Sequence, residues 1–247
     1  MISIIVLFFS VIISAFLVDK FNLNERILRL LLAFSGAYLL TVAFTHIIPN
    51  IFSGSDSKFL GYFVLLGFFV QLLIEYISGG AEHGHGHCDS HNEHNHDESI
   101  NISPYALLIG ISLHAFFEGM PFASQFHAHA HAQHSLLLGI VIHKIPIAVV
   151  LMGLFLNSTS SKLKVYSLMF LFASASPLGA LSGGYIGSSL GIDIDYFYKI
   201  IMAILVGIFL HVSTTILFES NTSHRFNLFK LFIIVLGVVF AILSKLI

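Results

Sequence analysis

The sequence predicts an all-α integral membrane protein with eight transmembrane helices, and three observations lead to that fold class. Hydrophobic residues make up 56% of the 247 residues, and charged residues make up only 10%. The mean hydropathy is +0.91. A soluble domain carries about 25% charged residues, so this composition fits a chain whose solvent is lipid. The third observation is that the apolar residues fall into eight runs, each able to cross a hydrocarbon layer of about 30 Å.

The apolar runs follow one another along the chain. The first has no basic stretch at its start and no small-residue cleavage motif, so we expect a retained helix rather than a signal peptide. We treat 1–247 as one transmembrane domain that contains a flexible His-rich connection at 79–101. The predicted segments are 2–18, 27–51, 59–78, 103–126, 135–156, 164–187, 196–218 and 226–245.

Basic residues are distributed unevenly between the two sets of connections. Seven lysines and arginines lie beside the odd-numbered connections, and three lie on the other side. Because cytoplasmic connections carry the excess of basic residues, we expect both termini outside, 79–101 in the cytoplasm and 127–134 outside. We assign the protein to the plasma membrane as a multi-pass protein.

Net charge and cysteine content exclude two classes of protein. The formal net charge of −2 argues against a nucleic-acid partner. The single cysteine, Cys88, excludes a disulfide framework, and its position among histidines makes it at most a metal ligand.

The fourth segment contains two ionisable residues, His114 and Glu118. Placing such groups in hydrocarbon costs roughly 2.5 kcal/mol or more per charge, so they usually mark a pathway or a site. The i, i+4 spacing puts the imidazole and the carboxylate on one helix face, where both can hold one cation. A metal route through the membrane is therefore the first functional hypothesis.

Three prolines each follow a histidine or glutamate by three residues inside an apolar segment. A helical proline frees the carbonyl four residues before it, and in lipid such carbonyls are tolerated where they line a cavity or meet another helix. Each of three helices therefore has a histidine or glutamate beside a predicted kink, although prolines that only bend helices for packing are the alternative. The pairs are His46 with Pro49, Glu118 with Pro121, and His143 with Pro146.

Most of the histidines lie in two connections. The longer tract, EHGHGHCDSHNEHNHDE at 82–98, interleaves imidazoles with carboxylates and a thiol, which suits zinc and neighbouring transition ions. A solvated linker of biased composition is the alternative, and a disordered tract selects ions too poorly for us to expect that transport requires it. The predicted loop ligands are His83, His85, His87, Cys88, His91, His94 and His96, and the shorter run contains His127, His129, His131 and His134.

Two motifs resemble the paired signatures of the ZIP (Zrt/Irt-like) metal transporters, HAFFEG at 114–119 and HKIPIA at 143–148. THIIPN at 45–50, ASPLGALSGG at 175–184 and GIFLHVSTTILFES at 207–220 are similar to the family's second, sixth and seventh helices. The resemblance covers nearly the whole chain. It implies a ZIP-like bundle that takes up divalent metal toward the cytoplasm, most often zinc, with Fe, Mn, Cd and Co as further candidates.

The same resemblance implies that His114, Glu118 and His143 are ligands of a transport-site metal. One position departs from the family pattern, because Ile147 stands where the fifth helix normally supplies Glu or His after the proline. Water or a carbonyl can complete a zinc site, so three protein ligands are workable.

A second metal position is not expected in this chain. Ala115 and Lys144 stand where many relatives place Asn and an acidic residue. The Lys144 ammonium would repel a second cation and could pair with Glu118. The alternative is that Lys144 snorkels away and plays no part.

His46, His211 and Glu219 are further pathway candidates. A lone helix histidine is often hydrogen-bonded to a neighbouring helix, so both histidines also have a structural interpretation. Glu75 and Glu219 lie near the ends of the third and seventh segments, where either could be an interfacial charge that water solvates. The resemblance suggests Glu219 as an exit-side contact.

Two other functions stay open beside transport. A transport-impaired relative that binds and senses metal is consistent with Ile147. An intramembrane metalloenzyme is less favoured, because HExxH and Gly-x-Ser-x-Gly motifs are lacking and a sole glutamate ligand leaves no separate general base. We expect no enzyme activity, no resident cofactor, divalent ions and lipid as partners, and a homodimer as one assembly to consider.

Overall fold

The computed structural model describes residues 2–20, 24–53, 59–78, 103–124, 126, 130–159, 161–218 and 228–244. All regular structure within these ranges is helical, which confirms the all-α fold class. The α-helices are α1 (Ile2–Lys20), α2 (Glu25–Val42), α3 (Ile48–Ile51), α4 (Leu60–Ser78), α5 (Pro104–Gly119), α6 (Ala130–Ser158), α7 (Lys162–Ser189), α8 (Ile194–Phe218) and α9 (Leu228–Leu243).

Seven spans in the described part of the chain are long and apolar enough to cross a membrane. One of them, Arg26–Ile51, joins α2 and α3. The eighth predicted segment forms α9, an apolar helix of 16 residues. A helix of that length rises about 24 Å, which is shorter than the hydrocarbon layer.

Two of the three prolines singled out above coincide with a change of helix type. Around His46 the helix widens to a π-helix over Ala43–Ile47 before α3 begins. After Glu118, α5 ends and Met120–Phe122 forms a 3₁₀ turn. Pro146, in contrast, lies inside the continuous helix α6.

The buried apolar side chains form two clusters. The first is built mainly from α2 and α8 and also contains residues of α1, α4, α6, α7 and α9. The second contains only residues of α1, α5, α6 and α7. The polar side chains described next lie on helices of both clusters, so they meet where the two packing units adjoin.

Glycines bring two pairs of helices into close contact. Gly67 and Gly207 lie where α4 crosses α8, and Gly119 and Gly179 lie where α5 crosses α7. A Cβ atom added at any of these four positions would lie 1.9–2.0 Å from a backbone carbonyl oxygen of the opposite helix. Small residues of this kind let membrane helices pack backbone to backbone, and here they fix the register of each pair.

Candidate metal centre

Side chains of α5 and α6 converge inside the bundle. On α5, His114 Nε2 lies 3.2 Å from Glu118 Oε1, as expected one helical turn apart. His143 comes from α6, and its ring centroid lies 5.9 Å from that of His114. One potential ligand atom from each residue lies within 4.8 Å of the other two. The three residues that the resemblance implies as ligands therefore lie close enough to share one ion, and we call them the candidate centre.

The candidate centre is shielded from solvent and lipid. His114 is 3% exposed, and Glu118 and His143 are 0% exposed. Burying ionisable groups costs free energy unless they are paired or bind an ion. Among the described residues, this is the one group of three histidine, cysteine or acidic side chains close enough to share a metal.

The orientation of His114 is set by Gln71 on α4. His114 Nδ1 lies 3.0 Å from Gln71 Oε1. An amide oxygen only accepts hydrogen bonds, so Nδ1 donates to it and Nε2 is turned toward Glu118 Oε1. A cation or a proton between Nε2 and Oε1 would satisfy both atoms.

The orientation of His143 is set in the same way by Ser35 on α2. Ser35 Oγ donates to Leu32 O at 3.0 Å and lies 3.3 Å from His143 Nδ1. With its own proton engaged, the hydroxyl accepts from Nδ1, and Nε2 is left for the candidate centre. In the described part of the chain this Nε2 has no hydrogen-bond partner. Metal-binding histidines commonly donate their second nitrogen to such an outer partner.

Lys144 places a basic side chain beside the carboxylate of the candidate centre. Its Nζ lies 2.7 Å from Glu118 Oε2, the residue is 1% exposed, and Phe172 lies beneath the ammonium at 5.6 Å. The predicted pairing with Glu118 is confirmed, and the alternative in which Lys144 snorkels away is wrong. Glu118 therefore offers Oε1 toward His114 while Oε2 is held by the ammonium.

Ile147 lies one turn after His143 and supplies no ligand atom. It is 5% exposed and packs in the second apolar cluster together with Ala115. The position after the proline is thus part of the hydrophobic packing in this chain.

The remaining predicted residues lie apart from the candidate centre or outside the described ranges. His46 Nδ1 lies 3.0 Å from Oγ1 of its neighbour Thr45 in the π-helical turn. His211 pairs with Glu75, so Glu75 is more than a water-solvated interfacial charge. In the shorter histidine run the His134 side chain is described, and it is exposed. The predicted residues that lie outside the described ranges are Glu219, His83, His85, His87, Cys88, His91, His94 and His96.

Two residues that orient the imidazoles were missed from the sequence. Gln71 is the uncharged polar side chain in an otherwise apolar stretch, and its spacing of four from Glu75 was an available signal for a polar helix face. Ser35 gave no comparable signal, because serines in membrane helices commonly bond to their own backbone.

Comparison with known proteins identifies relatives of this chain. The family model described as ZIP zinc transporter matches residues 78–245, a range that contains the whole candidate centre. Protein zntD of Dictyostelium discoideum is 30% identical over 164 residues, which are 64% of this chain and 24% of zntD. The chain therefore spans about a quarter of the length of that curated relative.

Proposed function

Because the chain belongs to the ZIP zinc transporter family, we propose that it carries a divalent metal ion, with zinc as the favoured ion, across the membrane through His114, Glu118 and His143. The observation that carries the proposal is the convergence of two imidazoles and a carboxylate within 4.8 Å inside an apolar bundle. Zinc binds such ligands at about 2.0–2.2 Å, so a bound ion would draw the ligand atoms to about 3.5 Å from one another.

The donor set supports zinc among the candidate ions. Imidazole suits zinc, copper, iron and nickel, whereas carboxylates are shared with harder ions, and a mixed set of two nitrogens and one oxygen is common in zinc sites. Three protein ligands leave a fourth position for water, which keeps the ion exchangeable. Fe, Mn, Cd and Co stay as ions to be tested against zinc.

Lys144 supports a single metal position. Its ammonium lies 2.7 Å from Glu118 Oε2, where a second cation would otherwise share the carboxylate. Like charges at such distances repel strongly in a buried site. The entering ion would take Oε1 between His114 and Glu118, and Lys144 would keep Oε2.

Alternating access is supported by the contacts that link the two ligand helices to two other helices. The ligands lie on α5 and α6, whereas Gln71 and Ser35 lie on α4 and α2. Rocking of one group of helices against the other would open the candidate centre to one side at a time and break these two contacts. We propose uptake toward the cytoplasm, as the family resemblance implies, and a plasma-membrane location. The distribution of basic residues supports termini outside.

Transport distinguishes this function from the two alternatives. Zinc flux into proteoliposomes is expected for the wild-type protein and is expected to vanish in His143→Ala. His134→Ala is the matched control, because it removes an exposed imidazole and should keep the flux. Metal binding without any flux would favour the sensing alternative, and unchanged flux in a folded His143→Ala protein would show that the ion takes another route.

The assembly in the membrane is a separate prediction. A homodimer would appear as twice the chain mass in sedimentation of the detergent-solubilised protein. The outcome is independent of the candidate centre, which is built from one chain.

A further inference from the structure

A second imidazole–carboxylate pair lies between α4 and α8. His211 Nδ1 lies 3.3 Å from Glu75 Oε2, and their side chains are 7% and 14% exposed. The His211 ring packs edge-on against Phe68 with 4.9 Å between centroids. Both residues belong to apolar membrane spans, where ionisable groups usually have a function.

Glu75 is part of a polar face on α4 that begins at the candidate centre. Gln71, Glu75 and Ser78 recur at positions i, i+4 and i+7, and none of the three is exposed. Leu73 and Ile77, which point away from that face, are 58% and 57% exposed. Because Gln71 accepts a hydrogen bond from a ligand histidine, the polar face leads from the candidate centre to the end of the helix. Glu75 lies one turn, about 6 Å, further along it.

The opposite side of the candidate centre is closed by aromatic packing. The 3₁₀ turn and residues after Glu118 bring Phe122 and Phe126 into the first apolar cluster. The Phe126 ring lies 5.0 Å from that of Tyr198, and all three aromatic residues are at most 4% exposed. Successive membrane helices run antiparallel, so these three aromatic residues and the last turn of α4 lie on opposite sides of the candidate centre. The polar face of α4 therefore points away from these aromatic residues, and it is the route that we consider for an ion leaving the candidate centre.

We propose that Glu75 and His211 form a second cation site, which a divalent transition-metal ion occupies between the candidate centre and the end of α4. This inference rests on the proposed function and extends it along the path. The separation of 3.3 Å matches the spacing of two ligands that share a tetrahedral ion at about 2.0–2.2 Å. Two ligands and partial exposure leave two or more positions for water, so binding is weaker than at the candidate centre, as onward release requires.

The helix packing keeps this pair in place. Gly67 and Gly207 hold α4 against α8 with backbone contacts that a larger side chain would break. The two ligands therefore stay at the same separation when other helices move.

A thiol placed at the pair tests the site directly. In a Cys88→Ser background, His211→Cys puts one soft ligand beside Glu75, and Cd²⁺ should produce a near-ultraviolet Cd–thiolate absorption band at lower concentration than in the control Ser213→Cys. Ser213 is a suitable control because it is buried on the same helix two residues away. Adding Glu75→Gln should raise the Cd²⁺ concentration needed for the band about tenfold. A band equal to that of the control, or one indifferent to Glu75→Gln, would overturn the site.

Flux measurements test whether the site lies on the path. Glu75→Gln should lower the maximal zinc flux about tenfold while the zinc concentration for half-maximal flux stays unchanged, because loading of the candidate centre is intact. Asp195→Asn removes an exposed carboxylate and is the charge-matched control. Flux of Glu75→Gln equal to that of Asp195→Asn would remove the pair from the path. A wild-type protein without flux would contradict the proposed function, while the absorption experiment would still decide the second site. If the His211→Cys protein does not fold, Glu75→Cys takes its place in the absorption experiment.

Discussion

The two imidazole–carboxylate pairs of this bundle have nearly the same separation and very different surroundings. His114 and Glu118 lie 3.2 Å apart, and His211 and Glu75 lie 3.3 Å apart. The first pair is fully buried, is joined by a third ligand and shares its carboxylate with an ammonium, whereas the second pair is partly exposed. Because the distance does not distinguish the two pairs, ligand number, charge compensation and access to water must account for any difference in how they bind a metal ion.

Removing each carboxylate in turn should give the largest difference between the two pairs. Glu118→Gln should abolish saturable zinc flux and should destabilise the protein by about 3–5 kcal/mol, because Lys144 is left as an unpaired buried charge. Glu75→Gln should destabilise it much less, since that pair is partly solvated. Unfolding in detergent measures both effects.

A double variant controls for the unpaired ammonium. Glu118→Gln combined with Lys144→Gln should recover most of the lost stability and still transport no zinc. Equal destabilisation by Glu118→Gln and Glu75→Gln would contradict the difference in burial between the two pairs.

The next effect concerns Lys144, whose ammonium pairs with Glu118. Lys144→Gln should lower the stability of the metal-free protein and increase the stabilisation that added zinc produces, because both Glu118 oxygens become available to the ion. Thermal unfolding with and without zinc measures this gain. Lys162→Gln is the control, because its ion pair with Asp19 is exposed and its loss should leave the response to zinc unchanged.

Gln71 is expected to tune the first pair through the orientation of His114. Gln71→Leu removes the acceptor for Nδ1 and should weaken zinc binding at the candidate centre about 10- to 100-fold. Gln71→Glu retains an acceptor oxygen and should recover part of the affinity. Zinc titration of the purified proteins checks both, and an unchanged affinity in Gln71→Leu would show that the amide does not orient the ring.

A further ligand at the candidate centre should strengthen zinc binding there. Ile147→Glu places a carboxylate one turn after His143, and zinc affinity should tighten about tenfold while flux slows, because a carrier must release its ion. Pairing of the new carboxylate with Lys144 would absorb part of the gain. Affinity and flux that both stay at wild-type values in a folded variant would mean that residue 147 does not face the metal.

The smallest effect on flux is expected from the His-rich tract. Deleting residues 82–98 should leave zinc flux within about twofold, because the proposed path runs through His114, Glu118 and His143. The deletion should also remove several equivalents of bound zinc, measured by metal analysis of the purified protein. Complete loss of flux in a folded deletion variant would make the tract part of the path.

The two pairs also show which contacts could be predicted from the sequence. The contact of His114 with Glu118 follows from helix geometry alone, because residues four apart share a face. The contact of His211 with Glu75 spans 136 positions and depends on the register of α4 against α8, which glycine–backbone packing sets. The Gln71–His114 bond was missed because it likewise depends on the register of two helices, in this case α4 and α5. The fold class and the convergence of His143 were accessible through apolar segments and a family resemblance, which carry long-range information that local spacing lacks.

The ion pair between Glu118 and Lys144 would have an electrical consequence for the proposed transport. Metal binding requires neutral imidazoles, and with an ionised carboxylate and a paired ammonium the empty candidate centre would then carry no net charge, whereas a bound divalent ion would make it +2. The membrane potential acts on each elementary charge with about 2.3 kcal/mol per 100 mV. A negative interior would therefore drive the loaded centre inward and leave the return of the empty centre independent of voltage.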